Sequence, residues 1–405
     1  MRILILSTWW PEPADNGSRL RAMAILRGLA TRHELHLLAF SQGPATAVQV
    51  NEIGRLCHSW QAFTRPERLL TVRDRLGSLI SPRPAAVRVR WSKSLAQAVQ
   101  EAVVRWQPDV VLAFQIDMAP YALLARNIPL VLEELELGLI LEDYQRRQGL
   151  RRLRSLLTAL QHRRYVSTIL PAFAAVTTVS EREAVLIRQT TKSRTPLLVV
   201  VPNGVDASVC ATYGYRPEPD TLIYPGALSY SANFDAVNYF LGQIWSLIRA
   251  RHPQARFRIT GRTTAEQRAA LPNGPGIEYT GYVDDIREVI ARHAVEVAPI
   301  REGGGTRLKI LEALALGVPV VSTSKGAEGL AFIDGKHLLL ADTPMDFARA
   351  TSRLLNNPPL ARWLGEAGQK AVAAHYDWRV IVPRLNDVLE EVAQPRKPRY
   401  DLVRA

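Results

Sequence analysis

The densest set of residues able to do chemistry is Gly303-Gly304-Gly305-Thr306, followed by Arg307, Lys309 and Glu312. Glycines let backbone N–H groups approach an anion closely, and a helix N-terminus adds partial positive charge. Arg307 and Lys309 would set full charges beside them, so a diphosphate is the natural guest. Glu312 falls near the second turn of such a helix, where a carboxylate can accept hydrogen bonds from two adjacent ribose hydroxyls. Its role would be grip rather than proton transfer. Taken alone, the same residues also fit a plain glycine turn followed by solvated helix charges.

The flanking residues supply the scaffold that an anion cradle needs. Val297-Ala298-Pro299-Ile300 reads as the end of a strand, and Arg307 to Leu316 has helical character with no Gly or Pro until Gly317. Strand, glycine loop and helix recur as a pattern along the whole chain. Apolar runs at Ile3 to Leu6, Leu35 to Phe40, Val110 to Phe114, Pro129 to Leu132, Ala175 to Val179 and Leu197 to Val201 alternate with helical stretches. A second series runs through Leu222 to Tyr224, Arg256 to Thr260, Ile277 to Tyr279, Val295 to Ala298, Val318 to Ser322 and Leu338 to Leu340. Such alternation indicates βαβ units on parallel sheets. The expected class is α/β, with two Rossmann-like doubly wound domains facing across a cleft. Residues 1–205 form the first domain and 206–377 the second, joined through the turn-rich Pro202 to Asp220. A helix over 378–392 either completes the second domain or returns to the first, and 393–405 is a basic tail.

With 405 residues, 47% of them hydrophobic, the chain can build two cores and is not a disordered sequence. Cys57 and Cys210 are the only cysteines, which excludes a disulfide framework and a cysteine zinc site and suits a reducing cytoplasm. Met1 to Ser7 is too short for a signal core, and no apolar stretch is long enough to span a bilayer. The formal charge of +13 is lopsided: residues 1–205 carry 27 Lys/Arg against 16 Asp/Glu, and 206–405 carry 24 against 22. A basic first half attracts nucleic acid, anionic lipid or acidic polymers alike.

The glycine block and its continuation, Glu312-Ala313-Leu314-Ala315-Leu316-Gly317-Val318-Pro319-Val320-Val321-Ser322 and Gly326-Ala327-Glu328-Gly329-Leu330, resemble the donor site of GT-B fold retaining glycosyltransferases of the family-4 type (glycosyl transferases group 1). The resemblance runs in order along nearly the whole chain. Pro11 to Arg21 looks like the family's first βα loop, with Gly17 able to approach donor phosphates. Pro202-Asn203-Gly204-Val205-Asp206 matches its linker motif, and Tyr224-Pro225-Gly226-Ala227-Leu228 with Asn233 resembles the opening of its C-terminal lobe. Gly281-Tyr282-Val283-Asp284 matches the loop expected to hold the base through backbone atoms. The resemblance implies a UDP- or GDP-linked sugar as substrate, no metal and no other cofactor, and transfer with retention by front-face attack. The leaving phosphate itself then takes the acceptor's proton, with a protein base optional.

Two departures shift the expected contacts. Many members carry glutamates eight positions apart, and here Gly304 stands where the first would be, with Glu302 two residues early. Many also hold the diphosphate with an Arg and a Lys in the loop after the first strand of the second lobe, where this chain has Ser229-Tyr230-Ser231. The diphosphate is therefore expected on Arg307 and Lys309, with Arg262 in reserve. The acceptor-lobe histidine common in the family is absent from Leu132-Glu133-Glu134-Leu135-Glu136. Glu134 or Glu136 would orient the acceptor hydroxyl, unless they cap a helix or sit in solvent; Asp117 is a further candidate.

Residues 146–164 carry Leu150, Leu153, Leu157 and Leu160 at helical spacing, with seven arginines mostly between them. One reading docks this helix on an anionic membrane so that a lipid-linked acceptor is reached; the other turns its apolar face inward. The basic stretch Arg65 to Lys93 favours membrane contact. The expected protein is a cytoplasmic enzyme, peripheral on the inner face of the cell membrane, extending a lipid-linked or polysaccharide acceptor in cell-envelope or exopolysaccharide synthesis. A sugar-nucleotide epimerase of the same fold is the rival reading. A basic nucleic-acid-binding protein is a remote one, since no recognition helix, finger or aromatic strand accompanies the arginines.

Overall fold

The computed structural model describes residues 1–43, 47–66, 83–138, 149–191, 196–303 and 305–394. They fall into two compact units: residues 1–201 with those from Val382 onward, and Pro202–Ile381.

The first unit is built on seven parallel strands: β1 (Arg2–Ser7), β2 (Glu34–Ser41), β3 (Ser59–Thr64), β4 (Val110–Phe114), β5 (Leu130–Glu133), β6 (Ala175–Thr178) and β7 (Leu197–Val200). Their spatial order is β3-β2-β1-β4-β5-β6-β7. The central strands are buried on both faces, as a sheet covered by helices requires, so they read as continuous apolar runs. β3 is an edge strand with polar residues between its aromatic ones, which hides it from a search for apolar runs. The chain order reverses between β1 and β4, which defines a topological switch point.

The second unit carries six parallel strands: β8 (Glu218–Pro225), β9 (Arg256–Thr260), β10 (Ile277–Gly281), β11 (His293–Ala298), β12 (Val320–Ser322) and β13 (Leu339–Leu340). Their order is β10-β9-β8-β11-β12-β13, with the switch point between β8 and β11. Both units are therefore doubly wound α/β sheets of the Rossmann type.

The last helix, Trp378–Ala393, begins in the second unit and continues into the first. Asp377 accepts from the backbone of Arg379 and fixes its start. Further along, Val382 packs so tightly on helix Gly17–Ala30 that a Cβ at Gly28 would lie 2.5 Å from its Cγ1. Asn386 meets His33 at 2.5 Å.

Candidate active site: two strand-end clusters

In the second unit the candidate residues collect at the C-terminal ends of β8, β9, β10 and β11, where open parallel sheets bind ligands. The glycine loop leaves β11 and opens helix Leu308–Ala315, with Arg307 at the N-cap. Gly303 has φ +92°, and a Cβ there would lie 3.0 Å from Ala232 Cβ and 3.1 Å from Tyr230 Oη. Both the backbone angle and the close approach to helix Ser231–Tyr239 demand glycine. Gly305 is also left-handed, at φ +81°. Gly304 lies outside the described residues. Arg301 pins the loop's entrance to that same helix, with two hydrogen bonds to Asp235 at 2.6 and 3.2 Å.

Arg307 and Lys309 take different places. The Arg307 guanidinium is buried and donates to the carbonyl oxygens of Gly303 and Glu302, bracing the loop from within. Thr306 sits at the turn that precedes the helix, its carbonyl accepting from Leu308 N at 3.0 Å. Lys309 reaches the loop after β8: its Nζ donates to Asn233 Oδ1 at 3.0 Å and lies 3.7 Å from the centre of the Tyr224 ring. A Cβ at Gly226 would be 2.9 Å from that Nζ. The helix-borne lysine thus puts its charge beside the loop whose own residues, Ser229-Tyr230-Ser231, bring none. Burial lowers the Lys309 ammonium to about 7, against the opposing pull of Glu296. Burial likewise raises the Glu312 carboxyl to about 7, opposed by Arg287 and Lys309.

At the end of β10, Gly281 turns at φ +70° and leaves Tyr282 63% exposed, with the Arg262 guanidinium 5.6 Å over its ring. Val283 follows, half-buried, and Asp285 then caps helix Ile286–Ala291 and pairs with Arg287 at 2.9 Å. Arg262 is exposed on the loop after β9 and its guanidinium faces Tyr282 rather than joining Lys309. Sequence reasoning missed Asn233 as a side-chain partner, Tyr224 as the face under Lys309, and Arg301.

In the first unit a second cluster forms at the switch point. Gln115 follows β4 and Glu134 follows β5, and both are non-glycine residues with positive φ, +66° and +59°. Gln115 Nε2 donates to Glu134 Oε2 at 3.1 Å and to Ser18 Oγ at 3.2 Å. Ser18 is next to Gly17, which opens helix Gly17–Ala30. Strained backbone of this kind persists where surroundings over-determine it and concentrates at functional sites. Glu134 is buried, which overturns the reading of a solvated acid. Burial, reinforced by Glu133 and Glu136 and opposed by Arg21, pushes its carboxyl up to about 8.

Beneath it Arg21 and Glu133 form an ion pair with no exposed side-chain surface, and Arg21 also donates to Val201 O at 2.8 Å. Neither residue carries a sequence signal, since a buried pair is made by residues 112 apart. Glu136 is half-buried two residues beyond Glu134. Asp117 is taken up by Arg90, which makes it part of an internal ion pair rather than an available acid. A groove lined by Met1, Arg2, Thr31, Arg32 and Asp109 lies at the opposite, N-terminal edge of the sheet, away from these residues.

Helix Gly149–Ile169 buries Ser155, Ala159, Val166 and Ile169, while Leu153, Leu157 and Leu160 are 54%, 46% and 52% exposed. These three leucines face outward, contrary to the reading that turned the stripe into the core. Arg152, Arg163 and Arg164 are exposed along it. Residues 146–148 and 67–82, also expected to be basic contact surface, lie outside the described residues. Among the described residues no helix is long and apolar enough to cross a membrane, and no group of three or more His, Cys, Asp or Glu residues is arranged to hold a metal ion.

Two doubly wound parallel-sheet units, the second with a glycine loop at the end of a central strand, are the architecture of the GT-B glycosyltransferases. The chain belongs to the glycosyl transferases group 1, of the GT-B, family-4 type: residues 219–357 match that family's model and residues 16–204 match the glycosyl transferase 4-like domain. Glycogen synthase of Mycobacterium tuberculosis is 26% identical over 223 residues, half of this chain and 51% of the relative, so the match spans about half of that protein's length. A sucrose-phosphate synthase from Thermosynechococcus elongatus superposes with a TM-score of 0.69 at 17% identity, covering 97% of this chain and 99% of the other. The Anabaena protein HepE, solved in complex with UDP and glucose, gives 0.63 at 14% identity, covering 96% and 99%.

Proposed function

We propose that the chain transfers a glycosyl group, with retention, from a UDP- or GDP-linked sugar to a lipid-linked or polysaccharide acceptor in cell-envelope or exopolysaccharide synthesis. The observation that carries this is Lys309 Nζ seated between Asn233 and Gly226, beside the glycine loop at the β8/β11 switch point. A diphosphate there would meet backbone N–H groups and an ammonium without needing a metal. Glu312 would take the ribose hydroxyls, and the Gly281–Val283 loop the base. UDP in HepE supports a nucleoside diphosphate as the common element.

In the transfer the bond from the anomeric carbon to the phosphate oxygen breaks. The acceptor oxygen bonds the same face of that carbon, and the acceptor proton passes to the departing phosphate. Glu134, protonated around neutrality and steered by Gln115, would hydrogen-bond the acceptor hydroxyl. The outward leucine stripe with its arginines supports docking at an anionic inner membrane surface, where a lipid-linked acceptor resides.

A thermal-shift panel of UDP-, GDP-, ADP- and dTDP-sugars, run with EDTA, tests the donor reading. Stabilisation by UDP- or GDP-sugars is expected, and binding is expected to weaken by more than about tenfold in Lys309→Ala and Glu312→Ala. No shift with any nucleotide sugar would sink the proposal. Conversion of the donor to an epimerised sugar without acceptor would replace it with an epimerase.

A further inference from the structure

Glu296 stands in the middle of β11, paired with Ile223 of β8 on one side and Val320 of β12 on the other. It is fully buried, and neither carboxylate oxygen has a hydrogen-bond partner among the described residues. A carboxylate in such a place is driven to its neutral form unless a cation answers it. The charges it senses are Lys309 and Glu312, both on helix Leu308–Ala315. Around Lys309 stand Tyr224 from β8, Asn233 from helix Ser231–Tyr239, Glu296 from β11, and Arg307 and Glu312 from its own helix and cap. Behind Glu312 lie Arg287 and Asp285. Among the described residues Lys309 makes no ion pair within 4.0 Å; its polar partner is Asn233.

We propose that above neutral pH Glu296 and Lys309 hold one proton between them in the unliganded protein and two when a diphosphate lies against Lys309, so that donor binding there draws a proton from solvent. The inference rests on the donor reading of this site. Without ligand the pair is either carboxyl with amine or carboxylate with ammonium, one proton in both cases. With a diphosphate against Nζ the ammonium is favoured by the anion, while a negative Glu296 would be buried beside further negative charge. The bound pair is therefore carboxyl with ammonium, and the extra proton comes from bulk water. The direction of the shifts agrees, since burial brings Lys309 down to about 7 and lifts Glu296 well above the usual carboxylate range. Glu296 touches no substrate; it acts through Lys309 and is a positioning residue.

The sign follows from linkage. Below pH 7 Lys309 is already charged and binding takes up little; above it, uptake approaches one proton and affinity falls by up to about tenfold per pH unit. Glu312, near 7 as well, contributes with the opposite sign at lower pH, so the range from about pH 7.5 to 8.5 reads the lysine.

Calorimetric titration with UDP-glucose and with GDP-mannose, whose diphosphates do not titrate near neutrality, tests this in Tris and in HEPES, buffers of different ionisation enthalpy. Wild type is expected to take up between half and one proton at pH 8. Lys309→Arg fixes the cation and leaves only Glu296 to take up a proton, and with Glu296→Gln added to it the pH profile should be flat, with no uptake. Glu296→Gln removes the answering carboxylate, so the fall in affinity should begin at lower pH and cost at least threefold at pH 7.5. A flat wild-type profile overturns the proposal, as does a Glu296→Gln profile that superposes on wild type. If Glu296→Gln does not fold, the wild-type uptake at pH 8 decides alone, its absence overturning the proposal. Binding of neither sugar nucleotide removes the donor reading, and this inference with it.

Discussion

Gln115 and Glu134 sit at the ends of neighbouring parallel strands, both with positive φ, and share one hydrogen bond of 3.1 Å. Holding a buried carboxyl there costs stability in a pH-dependent way. Its folded-state value of about 8 lies above the unfolded value of 4.5, so the folded protein binds the extra proton between those limits. Stability therefore falls as pH rises from about 4.5 to about 8. Glu134→Gln should remove that slope, raising Tm by roughly 2–4 °C at pH 8 with no gain at pH 4.5. Glycosyl transfer should drop by more than about tenfold with nucleotide affinity unchanged. Calorimetry at both pH values, paired with activity, checks this; equal Tm shifts at both would contradict the assignment.

The Arg21–Glu133 pair makes a different prediction because it is wholly desolvated. Arg21→Met leaves Glu133 buried without its cation and should destabilise the first unit by about 3–5 kcal/mol. Adding Glu133→Gln should recover a substantial part of that loss, because the stranded charge is gone. Urea denaturation of the two variants separates the cases. A double variant as unstable as the single would mean that the contact of Arg21 with Val201 O dominates instead.

The strands were legible wherever burial on both faces produced an apolar run, which is why β1, β4 and β11 were found within a residue or two. β3 was missed because an edge strand need not be apolar on both sides. The glycine loop announced itself by composition, and its flanking strand and helix lie where that pattern put them. What composition does not carry is the direction of long side chains. Arg307 and Lys309 look alike in sequence, yet one braces the loop and the other reaches Asn233. The spacing of the leucines in helix Gly149–Ile169 admits both an inward and an outward reading. The buried face is the one carrying Ser155, Ala159, Val166 and Ile169, which the leucine spacing alone does not mark.

Gly303 offers the sharpest steric test. An alanine there must hold φ near +92° and bring its Cβ to 3.0 Å from Ala232 and 3.1 Å from Tyr230 Oη. Left-handed strain of about 1–2 kcal/mol plus displacement of the loop should lower nucleotide-sugar affinity by roughly tenfold or more. Gly303 is buried against helix Ser231–Tyr239, so the same strain should also lower Tm by roughly 2–6 °C. Isothermal titration against wild type checks the first expectation and thermal melting the second. Undiminished affinity in Gly303→Ala would show that the ligand does not use this loop.

The outward face of helix Gly149–Ile169 predicts membrane binding with two separable parts. Leu153, Leu157 and Leu160 supply apolar area, and replacing all three with serine should remove about 1 kcal/mol or more for each side chain that enters the interface. Arg152, Arg163 and Arg164 supply attraction of about 1 kcal/mol per residue to an anionic surface, a share that added salt should erode. Co-sedimentation with phosphatidylglycerol vesicles, and with neutral phosphatidylcholine vesicles as reference, distinguishes them. The leucine variant should lose binding at all ionic strengths; the arginine variant should lose the preference for anionic lipid and its salt dependence. Each should keep wild-type affinity for nucleotide sugar, because these side chains belong to the first unit and the proposed diphosphate and ribose contacts, Lys309 and Glu312, to the second. Wild-type partitioning in both variants would leave the stripe without a membrane role.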